Sequence, residues 1–100
     1  MEGEFKILKE NLLLNNYVGH IEASEIEPSR ELVYFLCGES LEIFNGYPMA
    51  SKQCKCGGSM NVYQAVEEIP VDEFKELSSI EAIELYFCPS CKKWKLDFIG

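Results

Sequence analysis

Four of the five cysteines fall into two close pairs, Cys54-Lys55-Cys56 and Cys88-Pro89-Ser90-Cys91, with 31 residues between them. Nothing else in the chain restricts its folding so strongly, because a pair-plus-pair arrangement is useful only if the backbone returns to its starting point. At 100 residues, a chain buries only about 60 to 65% of the surface its unfolded form exposes, so a covalent or metal staple adds stability that the core alone supplies poorly.

Which staple depends on the compartment. The chain has no run of 18 apolar residues, and Met1-Glu2-Gly3-Glu4 lacks the basic start and apolar centre of a secretion signal. The expected location is therefore the cytoplasm, away from any membrane. Thiols stay reduced there, so clustered cysteines serve as metal ligands or redox centres rather than as a disulfide framework. The odd count of five agrees, since one cysteine would be left over from full pairing. A structural zinc ion takes four soft or borderline ligands in a tetrahedron, and Cys54, Cys56, Cys88 and Cys91 supply four thiolates. The expected cofactor is one structural Zn2+.

The sequence around the second pair reads as two strands. Ile83, Leu85 and Phe87 alternate with Ala82, Glu84 and Tyr86 before Cys88, and Trp94, Leu96 and Phe98 alternate with Lys93, Lys95 and Asp97 after Cys91. Residues 61–69 read as a further strand. Asp72 to Leu77 suits a single helical turn capped by Asp72. In the first half, Asn45-Gly46 between Leu41–Phe44 and Tyr47–Met49 is the clearest hairpin signal, because both central residues tolerate positive φ. Leu32 to Leu36 is an apolar run of strand formers, with a short buried helix after Pro28-Ser29 as the alternative. The opening Phe5 to Leu14 suits either a helix face or a strand, with Asn15-Asn16 as a hairpin turn before Tyr17.

The two cysteine pairs resemble the knuckles of the zinc-ribbon superfamily, over roughly residues 52–99. Cys54-Lys55-Cys56-Gly57-Gly58 would be the first knuckle and Cys88-Pro89-Ser90-Cys91 the second, each at a hairpin tip. The first pair has one intervening residue where that family has two, and Lys92 stands where a glycine commonly follows the second pair. The resemblance implies an antiparallel β-ribbon clamped by zinc at one end, and no single activity. The expected fold is therefore mainly β, or α+β with one short helix: residues 1–50 form an acidic N-terminal β-hairpin or meander region, residues 51–100 the zinc-ribbon region, and the two make one compact unit.

Cys88-Pro89-Ser90-Cys91 also resembles the thiol redox motif of thioredoxin-like proteins, which requires a helix after the second cysteine. The strand pattern after Cys91 and the unused Cys54 and Cys56 argue against it. Cys37, ending an apolar run, reads as a small core residue, and His20 as a surface or half-buried strand residue. Enzymatic function finds no support. There is no phosphate-binding glycine loop, no nucleophile elbow and no histidine pair, and the glutamates Glu22, Glu25, Glu27, Glu67 and Glu68 suit solvated faces.

Charge bears on partners. The net charge is −8, and residues 1–50 hold nine acids against three bases. That field repels nucleic acid at long range and favours another protein as the partner. Yet Lys52, Lys55, Lys92, Lys93 and Lys95, five of the nine bases, lie within four residues of a proposed ligand. They either offset the charge of a zinc–thiolate centre or, with Trp94 or Tyr86 as a stacking platform, contact nucleic-acid phosphates.

Overall fold

A computed structural model describes residues 14–37, 44, 50–65 and 71–100. The Asn45-Gly46 hairpin, the opening helix-or-strand segment up to residue 13 and the end of the strand read over residues 61–69 lie outside the described residues. Among the described residues, five strands make one mixed sheet: β1 (Tyr17–His20), β2 (Ala50–Gln53), β3 (Ser59–Ala65), β4 (Ala82–Phe87) and β5 (Trp94–Ile99), in the spatial order β1-β5-β4-β3-β2. The chain is mainly β with one α-helix among the described residues, α1 (Arg30–Cys37).

The two alternating segments around the second cysteine pair form β4 and β5, and their register shows why the alternation matters. Ile83 lies opposite Phe98, Leu85 opposite Leu96 and Phe87 opposite Trp94. All six side chains therefore share one face, and all are buried. Tyr63 and Ala65 of β3 extend the same layer, aligned with Leu85 and Ile83. Leu32, Val33 and Leu36 of α1 cover it together with Phe44, Leu77 and Ile80. Burying a side chain of this size contributes about 1.5 to 3 kcal/mol, so this layer is the main source of stability.

The run Leu32 to Leu36, read above as a strand with a helix as the alternative, is helical. Its buried positions are spaced i, i+1 and i+4, which puts them on one helical stripe. Ser29 starts the helix: its Oγ accepts the Leu32 N–H at 3.2 Å, and its carbonyl accepts the Val33 N–H at 3.1 Å. The Ser29 amide and hydroxyl in turn donate to the two carboxylate oxygens of Glu76, at 3.1 and 3.2 Å. A cap held from 47 residues away overrides the strand propensity of Val33, Tyr34 and Phe35.

A second correction concerns Asp72, which caps nothing. Residues 71–73 form a turn, and the helical turn that follows, a 3-10 turn at Lys75–Leu77, begins after Phe74 with no side-chain cap. Phe74 instead packs on Phe35 of α1, ring centres 5.1 Å apart.

The N-terminal strand joins the sheet in an unforeseen way. β1 runs parallel to β5, with Tyr17 opposite Trp94 and His20 opposite Leu96. Three steps along β1 match two along β5, so β1 carries one extra residue, and Gly19 absorbs it at φ 122°. The chain then follows β5 onward, the Ile21 amide donating to the Leu96 carbonyl and the Glu25 amide to the Phe98 carbonyl. Ser24 anchors this stretch by donating to Asp97 and accepting the Phe98 N–H. No helix among the described residues is long and apolar enough to cross a membrane.

Candidate metal centre

Two hairpins carry the four cysteines. β2 and β3 pair antiparallel from Ala50↔Val62 to Gln53↔Ser59, and the segment Cys54 to Gly58 closes them. β4 and β5 are closed by Cys88 to Lys93. Because β3 also pairs with β4, with Asn61 opposite Phe87, both tips lie at the same end of the sheet. The residues between the pairs thus return the chain to its starting point.

The tips close in related ways. In the first, the Cys54 amide donates to the Gly58 carbonyl at 2.8 Å and the Gly57 amide to the Cys54 carbonyl at 3.0 Å. In the second, the Cys88 amide donates to the Lys93 carbonyl at 3.0 Å and the Lys92 amide to the Cys88 carbonyl at 2.8 Å. Each tip has a left-handed residue just after its second cysteine, Gly57 at φ 95° and Lys92 at φ 65°. The missing glycine at Lys92 therefore does not change the turn. A residue with a Cβ takes the strained conformation there, at a cost of about 1 to 2 kcal/mol.

The four Sγ atoms lie within 4.8 Å of one another. Cys54 and Cys91 are 3.7 Å apart, and Cys56 and Cys88 3.5 Å. Four sulfurs bound about 2.3 Å from a central ion in a tetrahedron stand about 3.8 Å from each other, so the spacing suits a tetrahedral metal. The single residue inside the short first pair still lets both its sulfurs face the second pair.

Burial and ionisation are unequal across the cluster. Cys88 is fully buried, Cys54 and Cys91 are half-buried and Cys56 is exposed. Burial opposes ionisation of Cys88, yet the Cys91 and Ser90 amides and the Cys56 thiol outweigh it and bring its pKa down to about 6. At Cys56 the Gly58 amide, 3.5 Å from its sulfur, favours the thiolate. The neighbouring sulfurs of Cys54 and Cys88 outweigh that and push its pKa up to about 12. Crowded thiolates repel one another, and a divalent cation among them removes the repulsion.

Beneath the sulfurs lies a small apolar layer on the face of the sheet opposite α1. Met60, Val62, Tyr86 and Cys88 form it, with Ile21, Cys54 and Cys91 packed against them. Cys88 continues the alternation of Ala82, Glu84 and Tyr86, and that places its sulfur on this face. At Gly58 the two tips approach closely. A Cβ there would lie 2.7 Å from Ser90 Oγ and 3.4 Å from Cys88 Sγ. Only the spacing of Gly58 and Ser90 from the cysteines hints in the sequence at this close approach.

The remaining candidates separate. Lys52, Lys55 and Lys93 are exposed and Lys92 and Lys95 partly so, with the Lys95 ammonium 5.9 Å from the centre of the Tyr86 ring. Trp94 is fully buried in the helix-side core, 4.7 Å from the Tyr17 ring, and Tyr86 is 7% exposed. Neither ring is available as a stacking platform: strand phase turns Trp94 into the helix-side core, and Tyr86, on the opposite face, is covered within the small layer beneath the sulfurs. Cys37 stands apart from the cluster, packed against the core with its thiol on the Tyr34 carbonyl at 3.4 Å. His20 is an exposed β1 residue. Comparison with known protein families, characterised proteins and solved structures gives no match.

Proposed function

We propose that this chain is a small, non-enzymatic zinc protein of zinc-ribbon type, in which Cys54, Cys56, Cys88 and Cys91 hold one structural Zn2+ and the folded surface serves to bind another protein. The observation that carries this reading is the approach of four sulfurs from two hairpin tips at tetrahedral spacing. When bound, the ion supplies cohesion rather than chemistry, since four thiolates leave no open position for water or substrate. Cys88 anchors the centre from below, Gly57 and Lys92 shape the turns, and the absence of a side chain at Gly58 lets the second tip come close.

The redox alternative lacks its helix: β5 begins at Trp94, three residues after Cys91. A reducing compartment such as the cytoplasm suits four free thiols.

Metal content and melting test the reading together. Protein purified without added zinc should carry about one zinc per chain, and a chelator should remove it with cooperative loss of the tip structure, because structural binding energy is folding energy. A metal-free chain that is fully folded, with a reversible Cys88–Cys91 disulfide, would replace this reading with the redox one.

A further inference from the structure

The charge of the molecule is divided more sharply than its halves suggest. Residues 50–66 and 85–96, which contain both hairpin tips and the strand ends that lead into them, hold Lys52, Lys55, Lys92, Lys93 and Lys95 and no acid. The rest of the chain has four bases against 17 acids, a net charge of −13. On β4 and β5 the first acids, Glu84 and Asp97, stand opposite each other, three residues from Phe87 and Trp94. The segment 21–25 follows β5 away from the tips, taking Glu22 and Glu25 with it.

If the lysines served only to offset the metal centre, two would suffice, since four thiolates around Zn2+ carry a formal −2. Five are present, so the knuckle end keeps a net +3 on an otherwise acidic protein. Solubility does not account for this placement, because the net charge of −8 already provides it.

We propose that the knuckle end is a docking surface for a short acidic segment of a partner protein, with Lys52, Lys55 and Lys93 as its exposed contacts and Lys92 and Lys95 at its edge. This rests on the reading of the two tips as one site, and the pairing of β3 with β4 brings both lysine-bearing tips to the same end of the sheet. An acidic peptide fits better than a nucleic acid for three reasons. The aromatic side chains that would stack on bases, Trp94 and Tyr86, are buried. The one α-helix among the described residues, α1, packs on the sheet face through Leu32, Val33 and Leu36 and is not free to enter a groove. A long polyanion running from the tip along the sheet would also meet Glu84 and Asp97, whereas a short acidic segment can end on the tip.

The test uses the zinc-loaded full chain, a short fluorescent peptide rich in glutamate and a single-stranded DNA of matched charge. The peptide should bind, and its affinity should fall about tenfold between low and physiological salt. The combined Lys52→Gln, Lys55→Gln and Lys93→Gln variant should lose about tenfold in affinity, with zinc content and melting temperature unchanged; Lys75→Gln, far from the tips in sequence, should not lose affinity. No peptide binding at low salt, an unaffected triple variant, or tighter binding of the DNA than of the peptide would overturn the proposal. Zinc content separates this from the site reading. A zinc-loaded chain that ignores the peptide overturns the docking surface alone. Peptide binding by a chain that never holds zinc, lost in the triple variant, upholds the docking surface and overturns the zinc site.

Discussion

The helix-covered face of the sheet and the knuckle end are built by opposite means. Among the described residues, the first rests on fourteen buried ones, from Leu32 to Phe98, drawn from α1, β3, β4, β5, Phe44 and the stretch Leu77 to Ile80. The second rests on four, Met60, Val62, Tyr86 and Cys88, beneath four sulfurs and two turns, one of which takes a strained non-glycine residue. Apolar packing needs area, and a hairpin tip has little; converging ligands hold structure where area is short. The two regions should therefore fail under different insults.

The largest separation is expected from the ligands. Cys88→Ser should abolish stoichiometric zinc binding, whereas Cys37→Ser should retain it, as metal analysis of the purified variants would show. Zinc lost from the Cys37 variant would mean that the ligand set is wrong. Leu85→Ala, next in size, removes a fully buried side chain from the helix-side layer and should cost about 2 to 5 kcal/mol in denaturant unfolding. Zinc stoichiometry should stay at one, and its loss would show that the two regions do not divide as described.

Smaller changes probe the turns. Gly58→Ala forces a Cβ against Ser90 and Cys88 and should weaken zinc affinity about tenfold or more in chelator competition, the size of effect seen when the support around metal ligands is disturbed. Lys92→Gly should raise stability by about 1 kcal/mol by relieving the φ of 65°. No gain in melting temperature would mean that the turn is not strained there.

Alkaline pH acts on the packed rings. Burial pushes the pKa of Tyr17 up to about 12, and burial with the Glu84 and Asp97 carboxylates does the same to Tyr86. The folded chain therefore keeps these protons where the unfolded chain releases them. Stability should hold up to pH about 10 and fall as pH rises through 12. Tyr17→Phe should shrink that fall in unfolding experiments. It should also cost little below pH 10, since the Tyr17 hydroxyl is buried with no hydrogen-bond partner among the described residues.

How legible these regions were in the sequence follows from the range of the forces involved. The clustering of the four cysteines was legible because two short-spaced thiol pairs signal a shared site by residue type and spacing alone. β4 and β5 were legible because period-two alternation is local. The pairing of β1 with β5 was not, since Tyr17 and Trp94 meet across 77 positions and parallel pairing has no turn signature. The helix at Arg30–Cys37 was readable only as an alternative, because Glu76, which secures its cap, lies far along the chain. Trp94 misled in a similar way: its lysine neighbours pointed to the surface, while its strand phase turned it inward.

X-ray absorption at the zinc edge, on protein purified without added metal, tests the central claim most directly. Four sulfur scatterers at about 2.3 Å, with no nitrogen or oxygen neighbour, is the result expected of a centre made by Cys54, Cys56, Cys88 and Cys91. Fewer than four sulfurs, or a light-atom ligand in the shell, would contradict it.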